Sequence, residues 1–255
     1  MAREAKKQPG RVNWRLTFAI LACGAIGVST AVAGYRASLF VTSDPRFALS
    51  HDRKDALTIL GLTYASRSRV QRIFAGDFDR SIFSVPLAER RRRLLAIDWV
   101  EDASVSRVWP DRLVIRIRER TPVAFVSLRS GSLLIDAQGV LLEQPALGQF
   151  SFPVLSGVRE EESEAERRAR VRVFLQLQED MGYLAKEISE VDASDADNIR
   201  IVVQVERRVV TLLLGDGNYA QRFQNFLNHY PEIRKGSPHA RVFDLRLDGR
   251  ITVKE

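Results

Sequence analysis

The chain contains almost no cysteine: among 255 residues there is a single thiol, Cys23. That excludes an internal disulfide framework and a thiolate metal site, both of which need several cysteines. Histidine is nearly as scarce, with only His51, His229 and His239, and none sits in a zinc-type His-Glu-x-x-His helix. A glycine-rich phosphate loop and a G-x-S-x-G nucleophile elbow are missing. Gly215-Asp216-Gly217 precedes a helix but lacks the rest of a nucleotide fingerprint. Asp244 and Asp248 are candidates for a carboxylate pair, yet they fall in an ordinary strand and turn. The expectation is no catalysis, no cofactor and no small-molecule substrate.

One stretch lacks charge entirely: no Asp, Glu, Lys or Arg lies between Arg15 and Arg36. A helix of about twenty residues spans roughly 30 Å, the thickness of a bilayer's hydrocarbon core. Apolar side chains on every face for that length exclude an ordinary surface helix. Arg3, Lys6, Lys7, Arg11 and Arg15 precede the run against a single Glu4, which places the N terminus in the cytoplasm. Trp14 and Tyr35 stand at its ends as interfacial aromatics. A cleaved signal peptide is the rival reading, because Ala31-Val32-Ala33 fits a small-x-small cleavage site. A signal core spans about 7–15 residues, so the length favours an uncleaved anchor. Ala19, Cys23, Gly27 and Ala31 recur every fourth residue, a row that lets a second membrane helix approach closely.

What is plentiful is charge and core-forming residue: 28% charged, 45% hydrophobic, net charge +7. This is not a disordered composition. The basic residues are scattered beside acids, and no nucleic-acid motif accompanies them, so no nucleic-acid partner is expected. The dense exception is Arg90, Arg91, Arg92 and Arg93, which reads as a solvated helix face, or else as a docking patch.

After a linker around Ser43-Asp44-Pro45, apolar spacing predicts a strand at 56–64, a helix at 66–74, a helix at 87–95 behind Pro86, and strands at 100–109 and 112–120 around Pro110-Asp111. Leu113, Ile115 and Ile117 alternate with polar neighbours, as on a strand with one buried face. Beyond Pro122 come strands at 124–128, 132–135 and 140–143, then a helix at 161–183. Strands at 188–192, 199–205 and 209–214 follow, with a helix at 219–228 and closing strands at 242–247 and 250–255.

Several segments together resemble the bacterial divisome family FtsQ/DivIB. The most specific runs from residue 99 to 113, WVEDASVSRVWPDRL, and ends in Glu119-Arg120-Thr121-Pro122-Val123-Ala124. Leu214-Gly215-Asp216 with Arg222 is a second match. Phe243-Asp244-Leu245-Arg246-Leu247-Asp248-Gly249-Arg250 is a third, with Leu247 where the family usually has Tyr. The resemblance implies an α+β chain. A basic tail at 1–15 leads to a transmembrane helix at 16–38 and a linker at 39–53. A POTRA domain (β-α-α-β-β) follows at 54–121, then a β-rich domain with mixed or antiparallel sheet and flanking helices at 122–255. It implies a non-catalytic scaffold in the cell inner membrane at the division septum, with the bulk periplasmic. FtsB- and FtsL-type proteins are the implied partners of a C-terminal edge strand, carried here by Arg246, Leu247, Gly249, Arg250, Ile251, Thr252 and Val253. FtsK-type proteins are implied partners of the POTRA domain. The competing reading is another POTRA-type docking protein of outer-membrane assembly or secretion. Such proteins lead into a membrane barrel, and no series of ten-residue alternating strands is present.

Overall fold

The computed structural model describes residues 14–146, 148–247 and 249–254. Most of the basic N-terminal tail and Asp248 therefore lie outside the described residues. The chain divides into two compact units: 1–60, 70–91 and 104–116 in the first, and 61–69, 92–103 and 117–255 in the second.

The first long helix, α1 (Trp14–Ser43), covers the charge-free run and continues past it. At 1.5 Å per residue its 30 residues extend about 45 Å. It runs five residues into the segment expected as a linker. Pro45, which has no N–H to give, ends it, and Asp44 caps the 3₁₀ turn Pro45–Phe47. The remainder of that segment is not free either. Leu49 is fully buried, its N–H donates to the Arg80 carbonyl at 2.9 Å, and Ile82 N donates to Phe47 O at 2.8 Å.

The predicted strand-helix-helix-strand-strand order is present as β1 (Leu57–Leu60), α2 (Arg67–Ile73), α3 (Leu87–Leu95), β2 (Val100–Val108) and β3 (Arg112–Glu119). The sheet order is β1-β3-β2, with β1 parallel to β3. β1 stops four residues short of the sequence-based end. At Gly61 φ is +80°, and a Cβ there would lie 2.0 Å from the Ile117 carbonyl oxygen, so only glycine fits. Leu113, Ile115 and Ile117 are buried as their alternation predicts.

The nine-stranded sheet comprises β4 (Pro122–Leu128), β5 (Gly131–Asp136), β6 (Leu141–Leu142), β7 (Val154–Ser156), β8 (Ile188–Asp192), β9 (Ile199–Val205), β10 (Arg208–Gly215), β11 (Val242–Asp244) and β12 (Thr252–Lys254). Its order is β12-β11-β10-β9-β8-β7-β4-β5-β6. β4 with β7, β7 with β8, and β10 with β11 are parallel pairs, and the rest are antiparallel, so the sheet is mixed. The sequence reading had no strand at β7, which is only three residues long.

Two helices join the core on this sheet: α4 (Glu164–Met181) and α5 (Tyr219–Gly236). Val171, Phe174, Leu177 and Met181 of α4 meet Phe223, Phe226 and Tyr230 of α5 in one cluster with alternate strand residues such as Val126, Leu155, Ile201 and Leu212. On β5, Ile135 joins this cluster, whereas its neighbour Leu134 joins a smaller one with Trp99, Leu142 and Phe150. Those residues alternate along one strand and so face opposite sides of the sheet.

Helix boundaries differ from the sequence reading for identifiable reasons. α4 begins at Glu164 rather than 161 because Ser163 forms a capping box with Glu166. α5 passes through Pro231 and ends eight residues later than expected. Tyr230 holds its second half, with ring contacts to Phe226 at 5.1 Å and Phe243 at 6.0 Å.

The arginine run at 90–93 is corrected at its first member. Arg90 is buried and forms a two-armed ion pair with buried Asp77, at 2.6 and 2.8 Å. A carboxylate left in that site without its guanidinium bears its full desolvation cost. Arg90→Ala is therefore expected to cost about 3 kcal/mol in chemical denaturation of the full chain in detergent. Exposed Arg92→Ala, two positions on, is expected to cost about 0.5 kcal/mol or less.

Candidate docking edge

The last two strands form an edge whose construction starts at Asp244. Its carboxylate accepts from the Arg246 backbone N–H at 3.2 Å and from the Arg246 guanidinium at 2.9 and 2.7 Å. Arg246 also donates to Asn198 Oδ1 at 2.9 Å, and Lys254 lies 3.4 Å from Asp244. This local turn stops β11 at Asp244, three residues before the expected strand end. Gly249, at φ +71°, reverses the chain. It returns as β12, where Thr252, Val253 and Lys254 pair with Asp244, Phe243 and Val242. Of the 250–255 expected as the closing strand, β12 takes 252–254, and Glu255 lies outside the described residues. No strand among the described residues pairs with its other side.

The seven residues implied by the resemblance separate into three roles. Arg246 is a tether that holds the turn to Asp244 and Asn198. Leu247, Gly249, Arg250 and Ile251 line one wall of a groove of about 400 Å³. Thr252 and Val253 alone stand in the edge strand. Leu247 is 63% exposed, while Leu245 two residues earlier is fully buried.

The opposite wall is α5, through Gln221, Arg222, Gln224, Asn225 and Asn228. Apolar spacing gives a helix at 219–228 but does not single out this wall. Its signal was available: polar residues at 221, 224, 225 and 228 repeat at helical spacing opposite the aromatic face. The Leu214-Gly215-Asp216 and Arg222 motif fixes that wall in place. Arg222 donates to the Leu214 carbonyl and lies 3.9 Å from Asp216, while Gly215 at φ +77° leaves room for the guanidinium. Asp180 of α4 accepts from Ala220 N at 3.1 Å, satisfying one of the free donors at the start of α5.

Asp244 is held ionised by Arg246, so its carboxyl sits well below the usual range and is a poor base. Its candidate partner Asp248 lies outside the described residues. Among the described residues no group of three His, Cys, Asp or Glu side chains is placed to hold a metal. His51 stacks on Phe78 at 4.0 Å, and His229 Nδ1 meets the Asn225 carbonyl.

At the other end of the chain, Ala19, Cys23, Gly27 and Ala31 lie on one exposed face of α1, and a Cβ added at Gly27 would meet nothing within 4 Å. Residues 21–43 form the one helix, among the described residues, long and apolar enough to cross a membrane.

A family model described as POTRA domain, FtsQ-type, matches residues 55–120, and one described as Cell division protein FtsQ/DivIB, C-terminal, matches 124–246. β12 and its approach lie beyond that second match. Cell division protein FtsQ of Koribacter versatilis is 35% identical over 232 residues, covering 89% of this chain and 67% of the relative. The protein of that name from Novosphingobium aromaticivorans is 38% identical over 103 residues, 40% of this chain and 31% of the relative. That from Bordetella pertussis is 32% identical over 119 residues, 45% of this chain and 44% of the relative. The matches thus span two thirds of the first relative and under half of the other two. Among solved structures, the major extracytoplasmic domain of the cell division protein DivIB of Geobacillus stearothermophilus is 20% identical, with a TM-score of 0.24, covering 47% of this chain and 95% of that one.

Releasing the tether should loosen the edge while sparing the core. In Arg246→Gln, backbone amides of 252–254 are expected to exchange hydrogen faster, with those of 122–128 unchanged. The wild-type tether has a defined pH dependence. The folded carboxyl of Asp244 is depressed, so its contribution is complete above about pH 4, the ordinary carboxylate range, and declines as pH falls further. Exchange at 252–254 measured from pH 7 downward should rise only on that acid limb, once corrected for intrinsic rates.

Proposed function

The chain belongs to the FtsQ/DivIB cell-division family, and on that premise we propose that it is a non-catalytic scaffold of the bacterial division machinery. In this reading α1 crosses the inner membrane once, with the N terminus in the cytoplasm. The POTRA domain at 54–121 and the β domain at 122–255 stand on the periplasmic side, at the septum. The observation that carries the reading is the side of β12 that no strand among the described residues pairs with, beside the groove under α5. An open strand edge presents backbone donors and acceptors to another chain.

Magnitudes decide how the edge works. A three-residue strand offers two or three backbone hydrogen bonds, worth about 1 kcal/mol each net. A micromolar complex needs about 8 kcal/mol. The groove must therefore supply most of the affinity, through Leu247 and Ile251 on one wall and the amides of α5 on the other. FtsB- and FtsL-type proteins are the proposed occupants, each giving an extended segment to β12 and packing its continuation into the groove. FtsK-type proteins are the proposed partners of the POTRA domain. Tethering all of them to one membrane raises their effective concentration, so modest contacts suffice. The row Ala19, Cys23, Gly27 and Ala31 offers a close-packing face to a partner's membrane helix.

The test uses the full chain in detergent with its own FtsB and FtsL proteins. Val253→Pro and Ile251→Lys are each expected to weaken capture about thirtyfold, the equivalent of roughly 2 kcal/mol. Capture unchanged in both variants would remove the edge from the mechanism. A fluorescent fusion is expected to concentrate at midcell, and a uniform envelope signal would sink the septal assignment.

A further inference from the structure

Four aromatic side chains of the first unit gather where α1 ends. Phe40 stands in the last turns of α1, Phe47 in the 3₁₀ turn that follows, Phe83 shortly before α3, and Trp109 at the tip of the β2–β3 hairpin. Their ring centroids lie 6.1 Å apart for Phe40 and Phe47, 5.6 Å for Phe47 and Trp109, and 5.5 Å for Phe83 with both Phe47 and Trp109. Phe47 is buried at the base of the group. Phe40 and Trp109, by contrast, are 53% and 64% exposed. Isolated exposed apolar residues need no explanation, but a contiguous aromatic patch does.

The patch is joined rigidly to the helix. Ser81 Oγ donates to the Val41 carbonyl at 2.8 Å, inside the last turn of α1. Arg107 donates from its guanidinium to the carbonyls of Ile82 and Val85 at 2.6 and 2.8 Å, which fixes the segment carrying Phe83 to β2. No slack tether separates α1 from this group.

Position along the helix then gives depth. Taking Tyr35 as the end of the apolar run, Phe40 lies about 7 Å further along the axis. The polar layer outside the hydrocarbon core is about 5–8 Å thick on each side. Taking residues 21–43 as the span instead places Phe40 inside the bilayer. Both placements put it at or within the interface, where amphipathic rings such as indole collect. Arg46, its side chain 74% exposed, holds its guanidinium 5.7 Å over the Phe40 ring while paired with Asp44 at 2.9 Å, so the pair presents polar groups at the same level as the ring.

We propose that Phe40 and the Trp109 hairpin tip form a second membrane contact, seated in the headgroup layer of the leaflet from which α1 emerges. It rests on the reading of α1 as a membrane span. A single helix leaves the first unit free to rotate about the helix axis. A second contact off that axis restricts the rotation and sets which face of the unit looks at the lipid.

The test places nitroxide labels on the full chain in vesicles of phosphatidylcholine and phosphatidylglycerol at a ratio of about 3:1. One probe sits on native Cys23, and two others on Trp109→Cys and Phe40→Cys in a Cys23→Ser background. Accessibility to dissolved oxygen and to a water-soluble nickel chelate is compared with that of a free nitroxide in buffer. Expected is an oxygen preference at positions 109 and 40, intermediate between the buffer value and Cys23. A buffer-like value at 109 with a lipid-like value at 23 overturns the second contact and leaves the span intact. A buffer-like value at 23 overturns the span and this contact with it. Protection of position 109 from both reagents means a protein contact and also overturns the proposal. Because labelling removes the indole, the native ring is checked separately. Emission lost in Trp109→Phe relative to wild type should be quenched about twofold or more by phosphatidylcholine brominated near the headgroup, and absence of quenching overturns the proposal.

Discussion

The burial of one face of the nine-stranded sheet under α4 and α5 is the constraint on which the second unit depends. Phe174, Phe223, Phe226 and Phe243 are all fully buried there, and burying one such ring contributes roughly 2–3 kcal/mol. Everything at the docking edge inherits its position from this packing. α5 can present Gln221, Gln224, Asn225 and Asn228 to the groove because its aromatic face is committed to the core. β11 holds its place beside β10 because Phe243 is locked among Phe226 and Tyr230.

Arginine does much of the remaining work. Read as charge, the surplus of basic residues raises the question of an acidic partner. In the fold many of these guanidiniums are turned inward onto backbone carbonyls and buried carboxylates. Arg107 clasps the turn before α3, and Arg120 pairs with buried Asp136 at 2.8 Å. Arg167 donates to the Gly139 carbonyl, and Arg170 reaches Glu162 and the carbonyls of Ala193 and Ser194. A planar group with five donors satisfies irregular loop carbonyls that no helix or strand would pair. In a chain with no disulfide, these clasps hold the connections.

The edge shows the same economy. β12 is short, charged at Lys254, and has no second neighbouring strand among the described residues, a configuration that limits unwanted strand pairing while keeping one side open. Its shortness moves specificity into the groove. Leu247, which stands where the family usually has Tyr, is a wall residue of that groove.

Much of the fold was legible in the sequence because its signals are local. The charge-free run determined α1, and the alternation of Leu113, Ile115 and Ile117 determined the buried face of β3. Pro86 marked the start of α3 to the residue. The family-specific string at 99–113 fixed the hairpin and the β-α-α-β-β order. What only the tertiary structure decided depends on groups distant in the chain. Arg90 looked like one of four equivalent surface arginines until Asp77 was brought against it. The polar row on α5 became a groove wall only when residues 245–251 folded back opposite it. The closing segment read as two continuous strands, since its apolar spacing does not show that Arg246 would be held by Asn198, 48 residues earlier, as well as by Asp244. Periodicity reports which face of an element is apolar, whereas the partner that face or charge will meet is set by packing.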